Sequence, residues 1–168
     1  TPASDMKGPW GQPRISPDGK RILLRKAGMY CELWTLDVGQ GRPARIAQGP
    51  DHHDAIWSPD GRRIAYQVPN ERGQITTMAV GGAREVRRIS QSGIPEIPCS
   101  WSAGGNLLAY TVTGRGTRGD IWVRPMDSTS PPVAFLATPF HESDPALSPD
   151  GRWIAYTSNE TGVAEVFV

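Results

Sequence analysis

The sequence predicts an all-β chain built from β-propeller blades, three of four strands and a fourth of three. Three observations carry this. Ser-Pro-Asp-Gly, or a worn copy of it, recurs at Ser16, Ser58, Ser102 and Ser148, with spacings of 42, 44 and 46 residues, the period of a four-stranded blade. The order of short alternating segments around each copy is constant. No stretch of ten or more residues shows an apolar period of 3.6, while 19 glycines and 16 prolines punctuate the chain at turn positions.

Each unit has the same parts. An inner strand ends at Ile15, Trp57, Trp101 or Leu147. After the turn comes a second strand, read in "KRILLR", "RRIAYQV", "NLLAYTV" and "RWIAYTS". A third follows in "CELWTLD", "QITTMAV", "DIWVRPMD" and "AEVFV", and a fourth in "PARIA", "EVRRIS" and "VAFLA". The last unit has no fourth. The repeats run over about 10–49, 50–93, 94–139 and 140–168 of one domain, 1–168. A two-helix solenoid has a similar period, but β-branched and aromatic runs of five to seven residues oppose it.

The tetrapeptide is read as a bend. Proline presets φ for a tight turn, aspartate tolerates the next position, and glycine accepts the positive φ that closes the hairpin. The third copy, Ser102-Ala103-Gly104-Gly105, keeps glycine and loses proline and aspartate. Asp18, Asp60 and Asp150 are therefore read as turn residues without carboxylate chemistry.

Composition bounds the rest. With 168 residues, 38% hydrophobic and 21% charged, the chain can bury a sizeable core. Eighteen basic and 17 acidic side chains, net +1, create no single-sign field for nucleic acid or anionic membranes. Cys31 and Cys99 lie far apart with no metal or redox spacing and are expected to be free thiols. No run approaches a membrane span, so membrane insertion is not expected.

The motif W/L-S-P-D-G-(K/R)-x-I-A-Y, with Asp54 and Asp144 four residues before their serines, resembles the TolB-type (WD40-like) β-propeller repeat over nearly the whole chain. The segment from Phe135 to Val168 is similar to propellers that follow the kinase domain of bacterial serine/threonine protein kinases. Such propellers also precede hydrolase domains in prolyl-oligopeptidase-type peptidases. The resemblance implies a ring of six or more blades, of which this chain supplies an arc, and a bacterial periplasmic or extracytoplasmic setting. Gln12 and Pro98 replace the aspartate in the first and third repeats, which breaks any full ring of acidic ligands.

Candidate binding residues are loop residues expected near one mouth of the central channel: Trp10, Gln12, His52, His53, Asp54, Glu96, His141, Glu142 and Asp144. They offer ligating atoms without a metal spacing, so no metal or cofactor is expected. The run Gly114 to Gly119 matches G-x-G-x-x-G, but strand-like segments flank it, and phosphate cradling needs a following helix N-terminus. No nucleophile elbow, H-E-x-x-H or P-loop is present. The tryptophans of the strands are read as packing between blades.

The expectation is a non-catalytic module that binds protein or peptide, an accessory or sensor part of a larger bacterial protein. Alternatives are the substrate-gating propeller of a prolyl-oligopeptidase-type peptidase and a structural fragment that assembles with itself. The uncovered faces of the terminal blades and the edge at "AEVFV" would pair with another copy or with further blades of a longer chain.

Overall fold

The structure, a computed structural model, describes residues 7–49, 53–68, 73–81, 85–90, 93–114, 119–127 and 129–168. All regular elements among them are strands. Blade 1 comprises β1 (Trp10–Ile15), β2 (Arg21–Lys26), β3 (Cys31–Asp37) and β4 (Pro43–Gly49), and blade 2 β5 (His53–Trp57), β6 (Arg63–Val68), β7 (Gln74–Ala79) and β8 (Val86–Arg88). Blade 3 comprises β9 (Glu96–Trp101), β10 (Leu107–Val112), β11 (Asp120–Pro125) and β12 (Val133–Leu136), and blade 4 β13 (Glu142–Leu147), β14 (Ile154–Ser158) and β15 (Glu165–Phe167). Every sheet is an antiparallel meander in chain order. Three blades of four strands and one of three agree with the expected arc.

Packing follows from the two-residue period of a strand. On β6, Ile64 and Tyr66 join Leu23 and Leu33 of blade 1 in one core, together with Trp57 and Met78. Ala65, between them, faces the other way and joins Leu108, Tyr110 and Val112 of blade 3. Blades 2 and 3 are thus covered on both faces. Among the described residues, blades 1 and 4 are covered on one face only, and Ile15, Trp153 and Val166 stand exposed.

The Ser-Pro-Asp-Gly turn is a bend with its own hydrogen-bond circuit. Ser58 Oγ donates to Asp60 Oδ1 at 2.6 Å and accepts from the Arg63 N–H at 2.9 Å, while the Arg62 N–H donates to Asp60 Oδ1 at 3.0 Å. Ser16–Asp18 and Ser148–Asp150 repeat the serine–aspartate bond at 2.5 and 2.6 Å. Gly19, Gly61 and Gly151 take φ of 71°, 65° and 69°. The third turn keeps the circuit by other means: Ser102 Oγ donates to Asn106 Oδ1 at 2.8 Å. The aspartate therefore does more than tolerate a turn conformation, and two residues downstream an amide oxygen replaces it.

These bonds hold the turn carboxylates below their ordinary pKa, first through the serine hydroxyl and then through the backbone N–H two residues on. A carboxyl whose pKa is depressed on folding contributes stability that is present above its unfolded value, 3.8, and is lost as pH falls through the folded one. Thermal melts should therefore show stability falling below about pH 4, with a shallower fall in Asp60→Asn. An equally steep fall in that variant would remove Asp60 from the acid transition.

Candidate functional site

Each inner strand bends before it reaches its turn. In blade 1, Gly11 pairs with Arg25 and Arg14 with Leu23, so Gln12 and Pro13 together oppose one residue. The same β-bulge places Asp54 and Ala55 opposite Tyr66, and Asp144 and Pro145 opposite Tyr156. The first bulged residue is left-handed in each case: Gln12 φ 52°, Asp54 φ 51°, Asp144 φ 55°. Aspartate tolerates that region better than most residues; Gln12 takes it without that advantage. Blade 3 has Pro98 there, whose ring holds φ negative, and its register shift falls between Ala109 and Tyr110.

The four bulges converge. Gln12, Asp54, Pro98 and Asp144 line one cavity of about 230 Å3, with Arg14, Ile97 and Cys99 in its wall. Gln12 Nε2 donates to Asp54 Oδ1 at 3.1 Å across the first two blades. Ser143 Oγ donates to Asp144 Oδ2 at 2.8 Å. Cys99 Sγ donates to the Ile97 carbonyl at 3.2 Å, and its thiol is pushed up to about 11, chiefly by burial and further by the charges of Asp144 and Asp54. It is a neutral wall rather than a nucleophile. Neither cysteine forms a disulfide among the described residues. The site thus presents two carboxylates, an amide and one guanidinium, and no group of three or more ligating side chains is assembled among the described residues.

The other candidates sit elsewhere. Trp10 packs on its own blade, edge-on to Trp34 at 5.8 Å with Lys26 over its ring. Glu96 and Glu142 are buried where one blade meets the next, and the Thr138 hydroxyl donates to Glu142 Oε1. The His141 N–H donates to Asn159 Oδ1 at 2.8 Å, and its backbone bridges to Gly119. His53 lies in β5, paired through its backbone with Gln67. His52 falls outside the described residues. So do residues 115–118 of the glycine-rich loop, whose flanks are the strands β10 and β11. Arg14 and Cys99 joined the cavity unforeseen. Arg14 lies two residues past Gln12, so the alternation of side chains along the strand could have found it; Cys99 directly follows Pro98 at the third register shift, and alternation gives no signal for it.

Similarity to known proteins bears on the fold. An uncharacterized protein of Agrobacterium fabrum is 29% identical over 160 residues, covering 92% of this chain and 53% of the relative. The Tol-Pal system protein TolB of Francisella tularensis is 26% identical over 159 residues, covering 91% of this chain and 36% of that protein. The solved structure of a TolB-like protein from Agrobacterium tumefaciens superposes with a TM-score of 0.80 at 27% identity, over 94% of this chain and 56% of that one. The chain thus spans about half or less of the length of these relatives. The model of the TolB β-propeller domain matches residues 1–168, and the chain belongs to that family.

Proposed function

We propose that this chain is a non-catalytic binding module that takes a protein or peptide segment at the axial cavity, as part of a larger bacterial protein. The observation that carries the reading is the convergence of Gln12, Asp54 and Asp144 on one cavity through three left-handed bulges. Strained backbone repeated at one site and aimed at one space is a costly arrangement that binding rationalises. Two carboxylates against one cation among the described lining residues, Arg14, suit a segment bearing lysine, arginine or backbone N–H donors. The Francisella relative is named for the Tol-Pal system, which supports a protein partner over a small metabolite. The uncovered faces of blades 1 and 4 fit further blades or a second copy of the chain.

An array of twelve-residue peptides probed with the chain tests this. Lysine- or arginine-bearing peptides should be enriched, and the double variant Asp54→Asn, Asp144→Asn should bind the best of them at least tenfold more weakly. Unchanged binding by that variant would overturn the axial site. A propeller that gates a peptidase would use the same opening, and a hydrolase domain in the same reading frame would favour that alternative.

A further inference from the structure

Glu96 and Glu142 hold one structural position. Each opens an inner strand six residues before its turn serine. Each also donates its backbone N–H to a glycine carbonyl just before the third strand of the preceding blade, Gly73 at 2.7 Å and Gly119 at 3.1 Å. The Thr138 hydroxyl donates to Glu142 Oε1, while Glu142 Oε2, like Glu96 Oε2, has no hydrogen-bond partner among the described residues. At Glu96 a cavity of about 440 Å3 opens between blades 2 and 3, walled by Ile89, Ile94, Tyr110 and Trp122, with Arg124 also lining it.

Two polar atoms at this cavity are unpartnered. Glu96 is only 3% exposed, and its Oε2 has no hydrogen-bond partner among the described residues. Trp122 Nε1, also buried, has no acceptor among the described residues. A buried acceptor and a buried donor left unmade each cost free energy that a ligand with the complementary group restores. The Tyr110 hydroxyl feels both ends of the cavity. Burial and the negative charge of Glu96 push its pKa up, and the Arg124 guanidinium pulls it down. The volume suits a small molecule.

We infer that this cleft binds a zwitterionic amino compound the size of a free amino acid or dipeptide, its ammonium on Glu96 Oε2 and its carboxylate toward Trp122 Nε1 and Arg124. An ammonium supplies the donor that Glu96 lacks, and a carboxylate supplies the acceptor that Trp122 lacks. The apolar wall between them accommodates an aliphatic side chain. This site is distinct from the axial cavity, which shares none of its residues, so either can fail without the other.

The Trp122 indole N–H resonance, assigned with Trp122→Phe, reports on the cleft directly. The chain would be titrated to 10 mM with a panel of the free L-amino acids and their Gly-X dipeptides. At least one member should shift that resonance saturably. Its N-acetyl derivative should bind at least tenfold more weakly, a comparison that needs no variant. Glu96→Gln should weaken binding by a similar factor, whereas Asp54→Asn should leave it unchanged. A resonance that no member moves, meaning a cavity that holds water only, would overturn the inference. So would a shift that survives N-acetylation.

Discussion

Gly73→Ala is expected to lower stability by roughly 2–5 kcal/mol, adding the strain of a left-handed alanine to that of overpacking. Gly73 has φ of 70°, and a Cβ built there would lie 2.5 Å from the Pro95 Cα and 2.9 Å from its Cβ. Neither atom can yield without moving the backbone that leads into β9. The Gly73 carbonyl also accepts the Glu96 N–H, so the displacement is felt at the joint between blades 2 and 3. Gly19→Ala is the control. Its φ of 71° is nearly the same, but a Cβ there meets nothing within 4 Å, and only the left-handed strain of roughly 1–2 kcal/mol remains. Urea titration of the two variants would separate the effects. Equal losses would show that backbone conformation alone is penalised at Gly73.

Trp57→Ala is expected to cost roughly 3–5 kcal/mol, the range for deleting a large aromatic side chain from a core. Trp57 is buried against blade 1, and its Nε1 donates to the Arg14 carbonyl at 2.9 Å. The Arg21 guanidinium lies 5.0 Å from the ring centroid and donates to the Gly61 carbonyl at 2.7 Å. Side chain, ring face and turn thus form one clasp between blades 1 and 2. Trp57→Phe keeps an aromatic ring but loses the pyrrole part of the indole and with it the hydrogen bond, which alone is worth about 1 kcal/mol. Trp101 holds the same position one blade on, yet its Nε1 is buried without an acceptor among the described residues. Trp101→Phe should therefore lose no hydrogen bond and cost less than Trp57→Phe. Thermal melts that rank the two the other way would contradict the clasp.

The unlike joints explain which parts of the site were legible. Equivalence of Gln12, Asp54, Pro98 and Asp144 follows from counting back four residues from each turn serine, and the structure gathers all four at one cavity. Trp10, Glu96 and Glu142 were grouped with them by proximity along the chain. They separate because the bulge turns the strand: before it, Glu96 and Glu142 meet the preceding blade and Trp10 packs on its own, while residues at the bulge meet the axis. Glu96 and Glu142 each keep one carboxylate oxygen without a partner among the described residues, and the cavity beside Glu96 is walled in part by Ile89 of blade 2, a neighbour that cannot be counted from the repeat.

The sequence by itself determined the blade count, the strand order and the position of every turn, because these depend on local chemistry: proline and glycine at bends, and alternation along strands. It did not determine what any strand is buried against. Ile64-Ala65-Tyr66 and Ile154-Ala155-Tyr156 are the same three residues at the same register. The first set is wholly buried and the second only partly. Blade 2 has a neighbour on each face, whereas no described residue covers the outer face of blade 4. Burial is a property of the neighbour, so only the tertiary structure decided it.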